Sequence, residues 1–280
     1  MNEQEFFEHF PLRKANSHKS SNGVIVLIGG SFGMAGAAIL NILGARSVGT
    51  GYIHCVTAES VYPIVASHEI TAVYHPRTDG LPLVALPGDF LEKADAVSYG
   101  SGCANLLSKE GDVLHLLTKT ECPFVLDAEG LRVLAKHPDY LKKAKGPVIL
   151  TPHFGEFAAL TGKTVEEIVE SREELAVDYA VKNGVILVLK GPKTLIVSPD
   201  GDLTVNNSGN EALAQAGSGD VLTGIITGMC AKAADPYEAA VMGVWLHGHL
   251  ADLGVKNHSK ICFRLEDYPK IADEFFAGKR

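Results

Sequence analysis

Val24-Ile25-Val26-Leu27-Ile28 runs into Gly29-Gly30, the Ala- and Leu-rich stretch Ala35 to Val48 comes next, and Tyr52 to Val56 follows. An apolar run without polar alternation reads as a strand covered on both faces, and the longer stretch after it reads as a helix. Gly29 and Gly30 end the strand, while Gly49 and Gly51 serve the turn after the helix. Outward from this unit the same alternation continues to about residue 250. Further strands are expected at Ala94 to Ser98, Pro123 to Leu126, Val148 to Leu150 and Val185 to Leu189. Helices are expected at Cys103 to Thr118, Glu129 to Ala135, Val165 to Lys182, Val221 to Lys232 and Pro236 to Leu253. The fold class is therefore α/β, a central mostly parallel sheet with helices on both faces. Thr194 to Val197 and Leu203 to Val205, joined by Ser198-Pro199-Asp200-Gly201-Asp202, read as a hairpin that adds an antiparallel margin. Pro76 to Pro87, rich in proline, reads as the longest loop.

The 280 residues carry 25 Lys and Arg against 33 Asp and Glu, a formal net charge of -8, and no Lys/Arg cluster stands out along the sequence. Nucleic acid and anionic membrane are poor partners for such a chain, although a local nest of amides can still hold a nucleotide. A chain of this length buries one large core, so a single domain over 1-280 is expected, with a short N-terminal extension over 1-20. Cys55, Cys103, Cys122, Cys230 and Cys262 are scattered and lack metal-ligand or CxxC spacing, which fits reduced packing residues. Glu3, Glu5 and Glu8 precede Pro11 where a signal peptide would be basic and then apolar, and no apolar run is long enough to cross a bilayer. The expectation is a soluble cytoplasmic protein.

Open α/β sheets bind ligands beyond the carboxyl ends of their strands, and the polar segments of this chain fall there. Gly29-Gly30-Ser31-Phe32-Gly33-Met34-Ala35-Gly36-Ala37-Ala38 lacks the GxGxxG spacing and the acid at the end of a second strand, so it is not a dinucleotide fingerprint. Its small residues let either a flat ligand or the neighbouring sheet approach the helix. In Tyr99-Gly100-Ser101-Gly102, Gly102 offers an N–H to a ligand or turns the chain into the next helix. Asp127 orients a ligand hydroxyl or caps the helix after it. In Thr151-Pro152-His153-Phe154-Gly155-Glu156, His153 either meets a carboxamide or phosphate or serves the first turn of the helix that follows. Glu156 either faces a magnesium-bound water or satisfies its own helix's first turn. Leu189-Lys190-Gly191-Pro192-Lys193-Thr194 brings Lys190 to a nucleotide phosphate without P-loop spacing. His247 and His249, two apart on one helix, face different ways, which argues against zinc.

Ala216-Gly217-Ser218-Gly219-Asp220-Val221-Leu222-Thr223-Gly224 sets free backbone N–H groups and one carboxylate at a helix start. That pairing suits a phosphoryl group in transfer and a hydroxyl that must lose its proton, so the chain reads as an enzyme of phosphoryl chemistry. Asp220 deprotonates the attacking hydroxyl, and Gly217, Ser218 and Gly219 present amides to the phosphorus centre. Asn207 or Asn210 orients phosphate or water, or caps a turn.

Together these segments resemble the ADP-dependent (S)-NAD(P)H-hydrate dehydratase family of the ribokinase-like superfamily. The resemblance rests on His18-Lys19 with Gly23, Gly29-Gly30-Ser31 with Gly36-Ala37-Ala38, Gly100 and Gly102, and Asp127-Ala128. Farther along it rests on Thr151-Pro152-His153 with Gly155-Glu156, Leu189-Lys190-Gly191 with Thr194, Pro199-Asp200-Gly201, Gly209-Asn210 and Gly217-Ser218-Gly219-Asp220-Val221-Leu222. These elements keep the family's order over roughly residues 18 to 250. Ser101, Phe154 and Ala216 depart from the family's usual Pro, Pro and Gly, which reshapes loops without removing an acid, base or phosphate lysine.

The resemblance implies a carbon-oxygen lyase that repairs the hydrated coenzymes (6S)-NADHX and NADPHX to NADH and NADPH. ADP phosphorylates the ring hydroxyl, phosphate is then eliminated, and AMP and phosphate are the by-products; members from eukaryotes use ATP. It further implies that Ala37, Gly102, His153 and Asp220 contact the hydrated coenzyme. Lys190, Gly191, Pro192, Lys193, Thr194 and Gly219 contact the nucleotide, and Asp127, Glu156, Asn207 and Asn210 stand behind them. Mg2+ rides on the nucleotide phosphates, without an assigned direct protein ligand and with Glu156 reached through water. A homotetramer and a separate NAD(P)HX epimerase complete the expectation, since only about 20 residues precede the first strand. Two alternatives remain at this stage: a kinase of the same superfamily acting on hydroxymethylpyrimidine or hydroxyethylthiazole, and an inactive nucleotide-binding member.

Overall fold

The computed structural model describes residues 1–277 apart from Asp79, Pro87, Ala234 and His258. Its strands are β1 (Val24–Ile28), β2 (Tyr52–Ala58), β3 (Val73–Arg77), β4 (Ala96–Tyr99), β5 (Phe124–Leu126), β6 (Val148–Leu150), β7 (Ile186–Leu189), β8 (Leu195–Val197) and β9 (Leu203–Val205). They form one nine-stranded sheet in the order β3-β2-β1-β4-β5-β6-β7-β8-β9. Pairings from β3 to β7 are parallel, whereas β7-β8 and β8-β9 are antiparallel, so the expected hairpin margin is present. All residues of β4 to β8 are buried, as strands covered on both faces require. Strand order reverses between β1 and β4, and Gly29 to Met34 and Gly100 to Gly102 leave the sheet at that switch point.

Around the sheet lie α1 (Glu3–His9), α2 (Ala35–Ser47), α3 (Tyr62–His68), α4 (Lys109–Lys119), α5 (Glu129–Lys136), α6 (Phe154–Thr161), α7 (Val165–Glu170), α8 (Arg172–Asn183), α9 (Ser218–Cys230), α10 (Pro236–Asn257) and α11 (Tyr268–Ala277). Helices α2 and α9 cross backbone to backbone. A Cβ at Gly44 would lie 2.1 Å from Val221 O, and one at Gly224 would lie 1.9 Å from Asn41 O. Only glycine permits that approach, which packs the helix bearing Ala37 against the helix bearing Asp220.

Several expected boundaries move for local reasons. Cys103 to Ser108 is not helical; Cys103 N bonds Gly100 O, Leu106 N bonds Cys103 O, and the Asn105 amide donates to Phe32 O, so the chain is tied to neighbouring loops until α4 begins. Val165 to Lys182 breaks at Ser171 into α7 and α8. Part of the expected loop from Pro76 to Pro87 is the end of β3, an edge strand on which proline costs no ladder bond to a further strand; Pro87 lies outside the described residues. Buried Arg77 pairs with buried Asp112 at 2.7 Å and donates to Leu81 O, fastening this loop to α4.

The N-terminal extension is folded onto the body. Phe6 of α1 is fully buried, with ring centroids 4.9 Å from Trp245 of α10 and 6.1 Å from Phe275 of α11. The five cysteines are all free thiols. Among the described residues no helix is long and apolar enough to cross a membrane.

Candidate active site beyond the carboxyl ends of the strands

Helix α9 starts at Ser218 because Gly217, at φ 95°, turns the chain in a region that suits glycine. No side chain caps this terminus. Ser218 N is spent on Gln215 O at 3.4 Å, whereas among the described residues nothing accepts from Gly219 N or Asp220 N. Of the three amides expected from the sequence, Gly217, Ser218 and Gly219, only that of Ser218 is bonded among the described residues, and the Asp220 amide is open beside them. The Ser218 hydroxyl lies 3.4 Å from His247 Nε2. Burial holds that imidazole down at about 3, so His247 is neutral and anchors the helix start.

Asp220 occupies the first turn. Burial, then the neighbouring Asp127 and more weakly Glu156, push its carboxyl up to about 7, against the downward pull of the Ser101 hydroxyl and of Lys190. A carboxyl of that kind titrates where a general base must work.

Lys190, at the end of β7, reaches across to Asp127 Oδ1 at 2.8 Å and lies 3.9 Å from Glu156 Oε2. Burial pulls its ammonium down, but Asp127, Glu156 and Asp220 outweigh that and hold it above the usual lysine range. A Cβ at Gly219 would come 3.2 Å from Lys190 Nζ, so the glycine sets the lysine directly against the open amides. Asp127 does not cap α5; its Oδ1 also accepts from Thr151 Oγ1 at 2.8 Å, and the cap position belongs to Ala128 at φ 44°. Such backbone strain in a non-glycine residue is held in place by its surroundings. His153 and Glu156 form a capping box on α6: Nδ1 accepts from Gly155 N and Glu156 N, and Glu156 Oε2 accepts from His153 N at 2.9 Å. With Nδ1 so engaged, the ring proton sits on Nε2, 3.5 Å from Glu156 Oε1, and the imidazole edge is exposed.

Ala37 and Gly102 meet at the switch point, where a Cβ on Gly102 would lie 2.8 Å from Ala37 Cβ. Residues Gly191 to Thr194 form a tight turn. Thr194 Oγ1 donates to Gly191 O, Arg172 donates to Pro192 O at 2.8 Å, and exposed Lys193 has φ 55°. The Phe154 ring lies against Gly191, where a Cβ would come within 2.9 Å.

The comparisons with known proteins bear on this geometry. A family model described as NAD(P)H-hydrate dehydratase matches residues 25–269. The ADP-dependent (S)-NAD(P)H-hydrate dehydratase of Bacillus subtilis is 41% identical over 249 residues, which is 89% of this chain and 87% of that one. The chain belongs to the NAD(P)H-hydrate dehydratase family. The crystal structure of the Bacillus subtilis ADP/ATP-dependent NAD(P)H-hydrate dehydratase, co-crystallised with ATP and Mg2+, superposes with a TM-score of 0.87 at 36% identity, covering 99% of this chain and 97% of that one. A bifunctional NAD(P)H-hydrate repair enzyme from Moorella thermoacetica is 38% identical over 86% of this chain, which spans only 47% of that protein.

In this dehydratase-family chain, two second-line expectations part ways. Asn210 donates to Asp252 Oδ1 at 2.7 Å and caps the short turn at Glu211, so its amide is committed to structure. Asn207 is exposed. Sequence reasoning missed the support behind the site: Asn41, His247 and Asp252, whose Oδ2 accepts from Gly209 N at 2.8 Å. Each lies on a mostly apolar helix far along the chain, and only the fold brings it to the loop it holds. Arg13, Lys14, His18 and Lys19, unremarkable as a sequence cluster, line a separate cavity of about 340 Å³ with Gly51, at the amino-terminal side of β2.

Proposed function

We propose that this chain dehydrates (6S)-NADHX and NADPHX to NADH and NADPH at the expense of ADP. The observation that carries the reading is the constellation at the head of α9: a carboxyl near neutrality at Asp220, open amides at Gly219 and Asp220, and the Lys190 ammonium against them. In the reaction Asp220 takes the proton of the ring hydroxyl as its oxygen bonds to the terminal phosphorus of ADP. The phosphorus-oxygen bond to AMP breaks, and AMP leaves with that electron pair. Amides of this kind are worth about 3 to 4 kcal/mol when they meet charge that develops in the transition state. The ring nitrogen's lone pair then expels phosphate, and loss of a proton from the adjacent ring carbon restores the dihydronicotinamide.

Lys190 with the Gly191, Pro192, Lys193 and Thr194 turn and Gly219 hold the nucleotide; Ala37, Gly102 and His153 hold the hydrated coenzyme. Three carboxylates, from Asp127, Glu156 and Asp220, face the single Lys190 ammonium, a negative excess that suits a cation brought in on phosphates. Among the described residues no group of three His, Cys, Asp or Glu side chains is arranged to hold a metal ion by itself. Mg2+ carried by the nucleotide, with Glu156 reached through water, supplies neutralisation of the two anionic ligands as they meet. The reading includes a single catalytic domain, a cytoplasmic homotetramer, and a separate epimerase that delivers the S form of the substrate.

The test is recovery of the reduced coenzyme's near-ultraviolet absorbance from purified S-hydrate, with ADP and with ATP in parallel. Recovery with stoichiometric AMP and phosphate is expected with ADP. A stable phosphorylated product, or binding of nucleotide without turnover, would overturn the reading.

A further inference from the structure

We propose that the cavity of about 340 Å³ beside the amino-terminal ends of β1 and β2 is a second ligand site, one that takes a phosphate group, free or carried by a small metabolite. Arg13, Lys14, His18 and Lys19 line it with Ser17, and no carboxylate does. Small-molecule sites run from roughly 300 to 1,000 Å³, so this volume admits a sugar phosphate as well as the bare ion. The strands β1 and β2 are parallel, and Asp220 stands beyond their other ends, so the cavity is separate from that site. The reaction proposed for Asp220 leaves His18 and Lys19 without a task.

Most polar groups of the cavity are donors. His18 Nδ1 accepts from Ser21 N, which leaves the ring proton on Nε2. Arg13 donates to Gly49 O at 3.0 Å, and Lys19 Nζ stands 4.7 Å from the Tyr52 ring centre; both keep further N–H groups. Among the described residues none of Arg13, Lys14, Lys19 and Lys232 has a carboxylate within ion-pair distance. Asp95, beside the start of β1, accepts from Val24 N at 2.8 Å and does not line the cavity. Part of the positive charge serves the carbonyls after α2, since Arg13 bonds Gly49 O and Lys232 bonds Val48 O. A helix end carries only about half an elementary charge, so Lys14 and Lys19 stay uncompensated. The crowding is felt at Lys232, whose ammonium burial, and then Arg13, pull down to about 8. In a chain of net charge -8, three fixed cations around one cavity are a local exception, and a phosphate group, multiply charged with acceptors on every side, matches them.

The experiment follows the His18 ring-proton NMR signal of the full chain, assigned by its loss in His18→Gln. Inorganic phosphate or ribose 5-phosphate is added in chloride buffer at fixed ionic strength. A saturable shift is expected with at least one of the two probes, its midpoint about tenfold weaker in a Lys14→Gln/Lys19→Gln variant and unchanged in Lys190→Ala. Both replaced lysines are exposed, so the variant is expected to fold. A tighter midpoint for ribose 5-phosphate assigns the site to a phosphorylated metabolite, whereas an equal or weaker one assigns it to the free ion. A shift with neither probe, one that does not saturate, one that chloride reproduces, or one that the lysine variant leaves unchanged overturns the proposal. A shift abolished by Lys190→Ala also overturns it, because the phosphate then acts from the Asp220 site.

Discussion

At Asp220 the proposed role as base and the stability of the fold are opposed. Its carboxyl is raised from an ordinary 3.8 to about 7, so the folded chain holds this proton more tightly than the unfolded chain. Between about pH 4 and pH 7 the folded state therefore binds more protons, and this residue's contribution to stability declines as pH rises through that window. Above it the cost levels off. Asp220→Asn removes the buried charge and its conflict with Asp127, so the variant is expected to melt higher than the parent above pH 7 and at a similar temperature near pH 4. Calorimetry across that range checks this; a gap that does not grow with pH refutes it. The same variant is expected to lose at least ~100-fold in turnover, because a proton acceptor is lost with little change of volume. In the parent, kcat/KM is expected to rise with pH through about 7, since the base must be ionised; a flat profile from pH 5 to 8 would exclude this role.

Among the elements, the crossing of α2 and α9 links Ala37 to Asp220. Gly224→Ala places a methyl where Asn41 O stands 1.9 Å away, so the helices must part. A stability loss of about 1 to 3 kcal/mol or more is expected. Turnover should fall with it, because the same shift moves Asn41 and Asp220. Gly111→Ala in α4 is the control: a Cβ there meets nothing within 4 Å, and a gain of up to about 1 kcal/mol is expected from helix propensity. Equal denaturation midpoints for the two variants would remove the crossing from this account. At the margin of the sheet, the Arg77 and Asp112 pair shows the same division between local and distant information. Its cost is visible only in the fold, where both side chains are buried and Asp112 also accepts from Leu83 N at 2.9 Å. Asp112→Ala is expected to destabilise by about 3 to 5 kcal/mol in denaturant titrations, since it strands a buried guanidinium.

Across the whole molecule the two ends of the chain close on each other. Phe6 is buried against Phe10, Trp245 and Phe275, which makes the first helix part of the core. Phe6→Ala is expected to cost about 3 to 5 kcal/mol; a melting temperature equal to the parent's would show the aromatic cluster to be dispensable. The sequence by itself determined every strand of the sheet except the edge strand β3, whose proline-bearing end reads as a loop, together with the hairpin margin and the motif at Asp220, because short apolar runs, turn residues and a glycine-rich helix start are local signals. It also placed Lys190, Asp127, His153 and Glu156 at strand ends, from which a parallel sheet brings them to one side. Tertiary structure alone decided that Lys190 bridges Asp127 and Glu156, that Asp127 is no cap, that Asn41 meets Ser101, and that His247 meets Ser218 at the start of α9. Those facts depend on contacts between residues tens of positions apart, whose desolvation and charge pairing arise only when the sheet and its helices are packed.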